Sequence, residues 1–153
     1  MFFSLPSLLL LLSGCATQGG GPVTITKVNP YHLQTGSIAK TADEMVEFES
    51  RRFLYGAVDS EDHKERWGNY FSIFWKSETK APATVRLEYR QGGTGPAIHR
   101  KETFVPEPGR RNVTKFEVTG DEYRKKGKVT QWKASIVEND EVVAEYKSFL
   151  WQQ

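Results

Sequence analysis

The chain has almost no cysteine and no long hydrophobic run, and each shortage removes a class of protein. One Cys among 153 residues cannot form an intrachain disulfide, which excludes a disulfide-stapled scaffold. No apolar stretch approaches the roughly 20 residues of a membrane-crossing helix. Neither sign of charge dominates, since 21 Lys+Arg face 19 Asp+Glu for a formal net charge of +2. The three histidines, His32, His63 and His99, lie far apart in sequence and form no metal-ligand spacing. There is no Gly-x-Ser-x-Gly nucleophile motif. Gly92-Gly93-Thr94-Gly95 lacks the Lys-Ser/Thr of a phosphate loop and reads as a hairpin turn.

Aromatic residues are present in quantity: 9 Phe, 6 Tyr and 4 Trp. A chain so supplied is globular rather than disordered, and its length suits one domain. Period-two patterning points to β-structure. In 84–90, Val85, Leu87 and Tyr89 alternate with Thr84, Arg86, Glu88 and Arg90. In 128–137, Thr130, Trp132, Ala134 and Ile136 share one face, opposed by Gln131, Lys133 and Ser135. Residues 69–76 are apolar on both faces and predict a central strand. Residues 141–151 are mixed, and weaker strand patterns run over 23–28, 44–58, 98–105 and 112–118. Turn residues separate these runs at 91–96 and 106–109, and Asn139-Asp140 predicts a tight hairpin. Helix is confined to possible single turns at 41–48 and 120–126. The expected fold is all-β: an antiparallel sandwich of about seven or eight strands over 23–153.

The last 85 residues resemble an immunoglobulin or fibronectin type III module. The resemblance implies Trp75 on an early core strand, Trp132 on the penultimate strand, and Tyr123 as a tyrosine corner. It is architectural and carries no activity.

At the amino terminus, residues 2–12 are almost wholly apolar and end in five consecutive leucines, Leu8 to Leu12. Eleven helical residues span about 16 Å, half of a hydrocarbon core, so the segment predicts a signal peptide. Leu12-Ser13-Gly14-Cys15 resembles the lipobox of bacterial lipoproteins, and the chain's single Cys stands in its reactive position. Met1-Phe2-Phe3-Ser4 lacks the Lys or Arg with which such signals usually begin. The resemblance implies cleavage after Gly14 and lipid on the Cys15 thiol. Residues 1–14 are then the signal and 15–22 a lipidated, glycine-rich tether. Two or three acyl chains anchor stably. Ala16, where an Asp would favour inner-membrane retention, points to an outer membrane facing the periplasm in a Gram-negative cell.

Within the domain, Asp59-Ser60-Glu61-Asp62-His63 lacks the central Gly of a calcium loop and reads as a solvated loop. Arg110, Arg111, Lys115, Arg124, Lys125, Lys126 and Lys128 fall within 19 residues, against Glu117, Asp121 and Glu122. Arg110, Arg111, Arg124, Lys125, Lys126 and Lys128 form the candidate anion-contact surface, set against the simpler reading of a solvated edge. Trp67, Tyr70, Phe71, Phe74 and Trp75 crowd nine residues, as core or as a platform for sugar rings. The expected function is a non-catalytic envelope lipoprotein whose sandwich mediates binding or structural contacts. Its partners are the membrane, through the lipid, and an envelope protein or glycan; neither nucleic acid, metal nor cofactor is expected. The alternatives are a carbohydrate- or peptidoglycan-binding lipoprotein and, third, an envelope hydrolase.

Overall fold

The computed structural model describes residues 21–34, 48, 52–57 and 59–151. Cys15, the signal peptide and most of the tether lie outside them. So do most residues of the patterns at 41–48 and 44–58.

Seven antiparallel strands form two facing sheets: β1 (Val23–Leu33), β2 (Gly68–Ser77), β3 (Ala83–Gln91), β4 (His99–Val105), β5 (Arg111–Thr119), β6 (Val129–Glu138) and β7 (Glu141–Lys147). The strand order is β1-β2-β5 in one sheet and β4-β3-β6-β7 in the other. This is the expected antiparallel all-β sandwich. Two seven-residue helices lie among the described residues, α1 (Ser60–Arg66) and α2 (Gly120–Lys126), besides the helical positions 48 and 52–54.

The alternation read in β3 sets its burial, with Val85, Leu87 and Tyr89 all enclosed. Residue 71 and its neighbours explain why both faces of β2 are apolar. Phe71, Ile73 and Trp75 point into the core, while β2 lies between β1 and β5 with Tyr70 and Phe74 on the other side. Tyr89, Leu87 and Ile136 meet Phe71, Ile73 and Trp75 across the gap between the sheets. Each large side chain so buried contributes on the order of 1.5–3 kcal/mol.

Several expectations need correction. Thr130 is exposed and Trp132 only half-buried, so the core face of β6 is set by Ala134 and Ile136. Strand β7 ends at Lys147, and Trp151 instead folds back with its backbone N–H on the Ser148 carbonyl. Residue 48 and residues 52–54, inside the pattern read as a strand at 44–58, are helical. The Asp59–His63 stretch is the start of α1 rather than a loop: Asp59 Oδ1 accepts from the backbone N–H of Glu61 and Asp62 at 2.8 and 2.9 Å, an N-cap. Tyr123 sits in α2 and engages a side chain, His32, rather than the backbone of a tyrosine corner.

The Asn139-Asp140 hairpin is present, with φ of +50° and +64°. Both residues occupy the left-handed region that a two-residue type I′ turn demands, which Asn and Asp tolerate better than most. Gly68 marks a close approach, because a Cβ there would lie 2.2 Å from the Val118 carbonyl oxygen.

Candidate functional site

The six residues of the expected anion surface divide between the two ends of β5. Arg110 and Arg111 stand at its start, and Arg124, Lys125 and Lys126 lie in α2 beyond its end. Eight residue steps of strand separate them by roughly 26 Å, well beyond the Debye length of about 8 Å at physiological salt. The α2 cations are also neutralised locally. Arg124 and Lys125 both engage Asp121, and Lys126 faces Glu122 at 3.9 Å. Lys128 enters no ion pair among the described residues and lies close enough to His32 to disfavour its protonation. The structure therefore gives these residues as two separate groups.

The histidines are also dispersed. His32 Nε2 is 2.7 Å from Tyr123 Oη, and His99 Nε2 is 3.4 Å from Thr94 Oγ1. Among the described residues, no three His, Cys, Asp or Glu side chains are placed to hold a metal ion.

The aromatic cluster splits by strand parity. Phe71 and Trp75 are core, with Trp75 Nε1 donating to Thr114 Oγ1 at 3.1 Å. Tyr70 and Phe74 lie on the outer face of the β1-β2-β5 sheet. There the register sets Tyr31, Tyr70 and Glu117 in one row, and Asn29, Ser72 and Lys115 in the next. Lys27, Phe74 and Val113 follow, then Thr24, Lys76 and Arg111.

Phe53 completes this face. Its ring stacks between Tyr31, at 4.9 Å, and Tyr70, at 4.2 Å. Arg66, the last residue of α1, holds it there by donating to the backbone carbonyls of Phe53, at 3.2 Å, and of Tyr55. The Arg66 carbonyl in turn accepts from Tyr70 Oη at 2.5 Å. Burial, and next the nearby Glu117 carboxylate, push the Tyr70 hydroxyl up to about 12. It therefore remains a neutral donor at all ordinary pH.

These side chains enclose a groove of about 460 Å³, with Phe53, Tyr70 and Phe74 among its walls and Arg52, Lys115 and Glu117 at its margin. The sequence pattern did not find it, because Phe53 belongs to a segment read as a strand. The outward parity of Tyr70 and Phe74 was the available signal.

The opposite outer face differs in kind. Across β4-β3-β6-β7, Arg100 contacts Glu88 at 3.0 Å, Glu88 contacts Lys133 at 2.9 Å, and Lys133 contacts Glu145 at 3.5 Å. Arg86 pairs with Glu102 at 2.6 Å. Burial works to raise the Glu88 carboxyl, but hydrogen bonds from Lys133 and Arg100 outweigh it and hold the group below the usual carboxylate range. Trp151 covers part of this ladder, with the Arg90 guanidinium 5.3 Å and the Lys133 ammonium 5.6 Å from its ring centre. One face carries a ladder of four ion pairs with Arg90 and Lys147 outside it among the described residues, and the other an aromatic groove bordered by unpaired cations.

Comparison with family models, curated proteins and solved structures returns no match to this chain.

Proposed function

We propose that the chain is a non-catalytic cell-envelope lipoprotein, anchored through Cys15, whose sandwich acts as a binding module. The observation that carries the binding role is the groove on the β1-β2-β5 sheet. Rings on an outer sheet face, held in place by Arg66, form a recess of ligand size instead of a flat solvated surface. The address rests on Leu12-Ser13-Gly14-Cys15 and the single Cys. Ala16 favours the outer membrane, facing the periplasm. Groove aromatics bordered by Asn29, Ser72 and Glu117 favour a carbohydrate or peptidoglycan ligand over a purely structural contact.

Metabolic labelling with a palmitate analogue, followed by membrane fractionation, tests the anchor. The wild-type chain should be labelled and recovered with the envelope. Cys15→Ser should lose the label and accumulate as unprocessed precursor, and unchanged labelling of that variant contradicts the reading.

A further inference from the structure

We infer that the groove on the β1-β2-β5 sheet binds an anionic saccharide, a glycan segment bearing carboxylates. This rests on the reading of the chain as an envelope binding module and names the ligand class of that site.

The charge on the two outer faces carries the argument. On the four-stranded sheet, Arg86, Arg100 and Lys133 each meet a carboxylate, and Arg90 and Lys147 alone stand outside these pairs among the described residues. On the three-stranded sheet, Lys27, Lys76, Arg111 and Lys115 share the groove face with one carboxylate among the described strand residues, Glu117. Arg52 adds a fifth cation at the groove. None of the five enters an ion pair among the described residues. Lys76 and Arg111 even stand directly opposite each other across β2 and β5. Like charges so placed destabilise a sheet. A face that accumulates them beside a groove walled by half-buried rings is complementary to an anion.

The rings restrict what kind of anion. The apolar C–H face of a pyranose packs flat on an aromatic ring and leaves its hydroxyls at the edge for hydrogen bonding. Tyr70 is buried beneath Phe53, so the rings placed to meet a sugar are the half-buried Phe53 and Phe74, while the Tyr70 and Phe74 rows lie roughly 13 Å apart along β2. Lys115, in the row between them, and Arg52 are placed to take carboxylates, with Arg able to do so through two parallel N–H bonds. Glu117 favours sugar over a polyphosphate chain, because a carboxylate accepts hydrogen bonds from hydroxyls, which a polyphosphate chain lacks. Single-stranded nucleic acid also combines anionic charge with stacking, and it forms the competing arm of the test.

The test uses full-length protein in neutral detergent micelles, titrated calorimetrically with trigalacturonate, with its methyl ester and with a short oligo(dT). Trigalacturonate should bind, and its uncharged ester should bind about tenfold more weakly, the scale of losing charge-assisted hydrogen bonds. Arg52→Gln combined with Lys115→Gln should weaken trigalacturonate by a similar factor and leave the ester unchanged. Arg86→Gln, on the other sheet, should change neither. Phe74→Ala should weaken both sugars; because Phe74 is half-buried, the two exposed-cation changes keep the test decisive if that variant fails to fold. Equal binding of acid and ester overturns the anionic class while leaving a glycan-binding module intact. Tighter binding of oligo(dT) than of trigalacturonate overturns the saccharide. No binding of any probe, with Cys15 still acylated, overturns the inference and leaves the anchored lipoprotein standing.

Discussion

Tyr89 Oη donates a 2.7 Å hydrogen bond to Oε1 of Glu122, joining the enclosed tyrosine of β3 to the short helix that closes one end of the sandwich. Lys101 of β4 reaches the other carboxylate oxygen of Glu122 at 3.1 Å and also donates to the Glu117 carbonyl of β5 at 2.5 Å. One carboxylate thus ties β3 and β4 to α2, and Lys101 carries the connection on to β5 of the other sheet.

The link makes stability depend on pH in a defined direction. Burial works to raise the Glu122 carboxyl, but the Tyr89 hydroxyl and the Lys101 ammonium outweigh it and hold the group below its ordinary value. A depressed carboxyl contributes stability that is complete above the unfolded value of about 4.3 and disappears as pH falls through the folded value. Urea unfolding at pH 7 and at pH 3 should show this loss, reduced in Glu122→Gln. At pH 7, Tyr89→Phe should cost about 1.5–3 kcal/mol, the range for a hydrogen bond to a charged group. An unchanged midpoint in Tyr89→Phe contradicts the assignment.

The sandwich was legible where one face of a strand is buried and the other is not. Val85, Leu87 and Tyr89 alternate because β3 has core on one side and a charged ladder on the other. The pattern failed where polar and apolar residues share a face. Thr130 takes the core parity of β6 but falls beyond the covered part of the strand, and Trp132 is half-covered because its ring stacks on Tyr146 at the sheet's margin. Residues 52–54 misled because Phe53 is apolar for a reason outside its own segment: it caps Tyr31 and Tyr70. The groove was half-legible in the outward parity of Tyr70 and Phe74. Its unpaired cations were not, since only register shows which charges find partners. Linear clustering selected Arg124, Lys125 and Lys126, which α2 neutralises through Asp121 and Glu122 one turn away.

Trp75 and Trp132 should respond very differently to truncation. Trp75 is enclosed and its indole N–H is held by Thr114 Oγ1, whereas Trp132 is half-buried with its edge toward Phe71 at 5.9 Å. Trp75→Ala should cost about 3–5 kcal/mol, as expected for a large aromatic removed from a core, and Trp132→Ala clearly less. Thr114→Val preserves shape but leaves the indole N–H unpaired, at a cost of about 1–3 kcal/mol. Denaturant midpoints of the three variants check the order, and a larger loss from Trp132→Ala than from Trp75→Ala refutes it.

The imidazole of His32 supplies a second pH response, near neutrality and from a base rather than an acid. Its Nε2 lies 2.7 Å from Tyr123 Oη, with the rings tilted at 58° and their centres 5.7 Å apart. Burial lowers its proton affinity first, and the positive charge of Lys128 lowers it further. The native state therefore binds fewer protons than the unfolded chain once pH drops below the ordinary histidine value of about 6.5. Stability must decline as pH falls from there to the lower native value and then level off, because below it both states carry the proton. His32→Gln retains a group able to engage Tyr123 Oη and cannot titrate, so its stability should be flat across that window. Lys128→Ala removes one of the two causes, and the His32 ring protons should then titrate at higher pH when followed by NMR. A wild-type curve as flat as that of His32→Gln, or an imidazole titration unmoved by Lys128→Ala, contradicts the coupling. Because Glu122 loses its proton in a lower range, the two responses separate on the pH axis, and His32→Gln should abolish only the upper one.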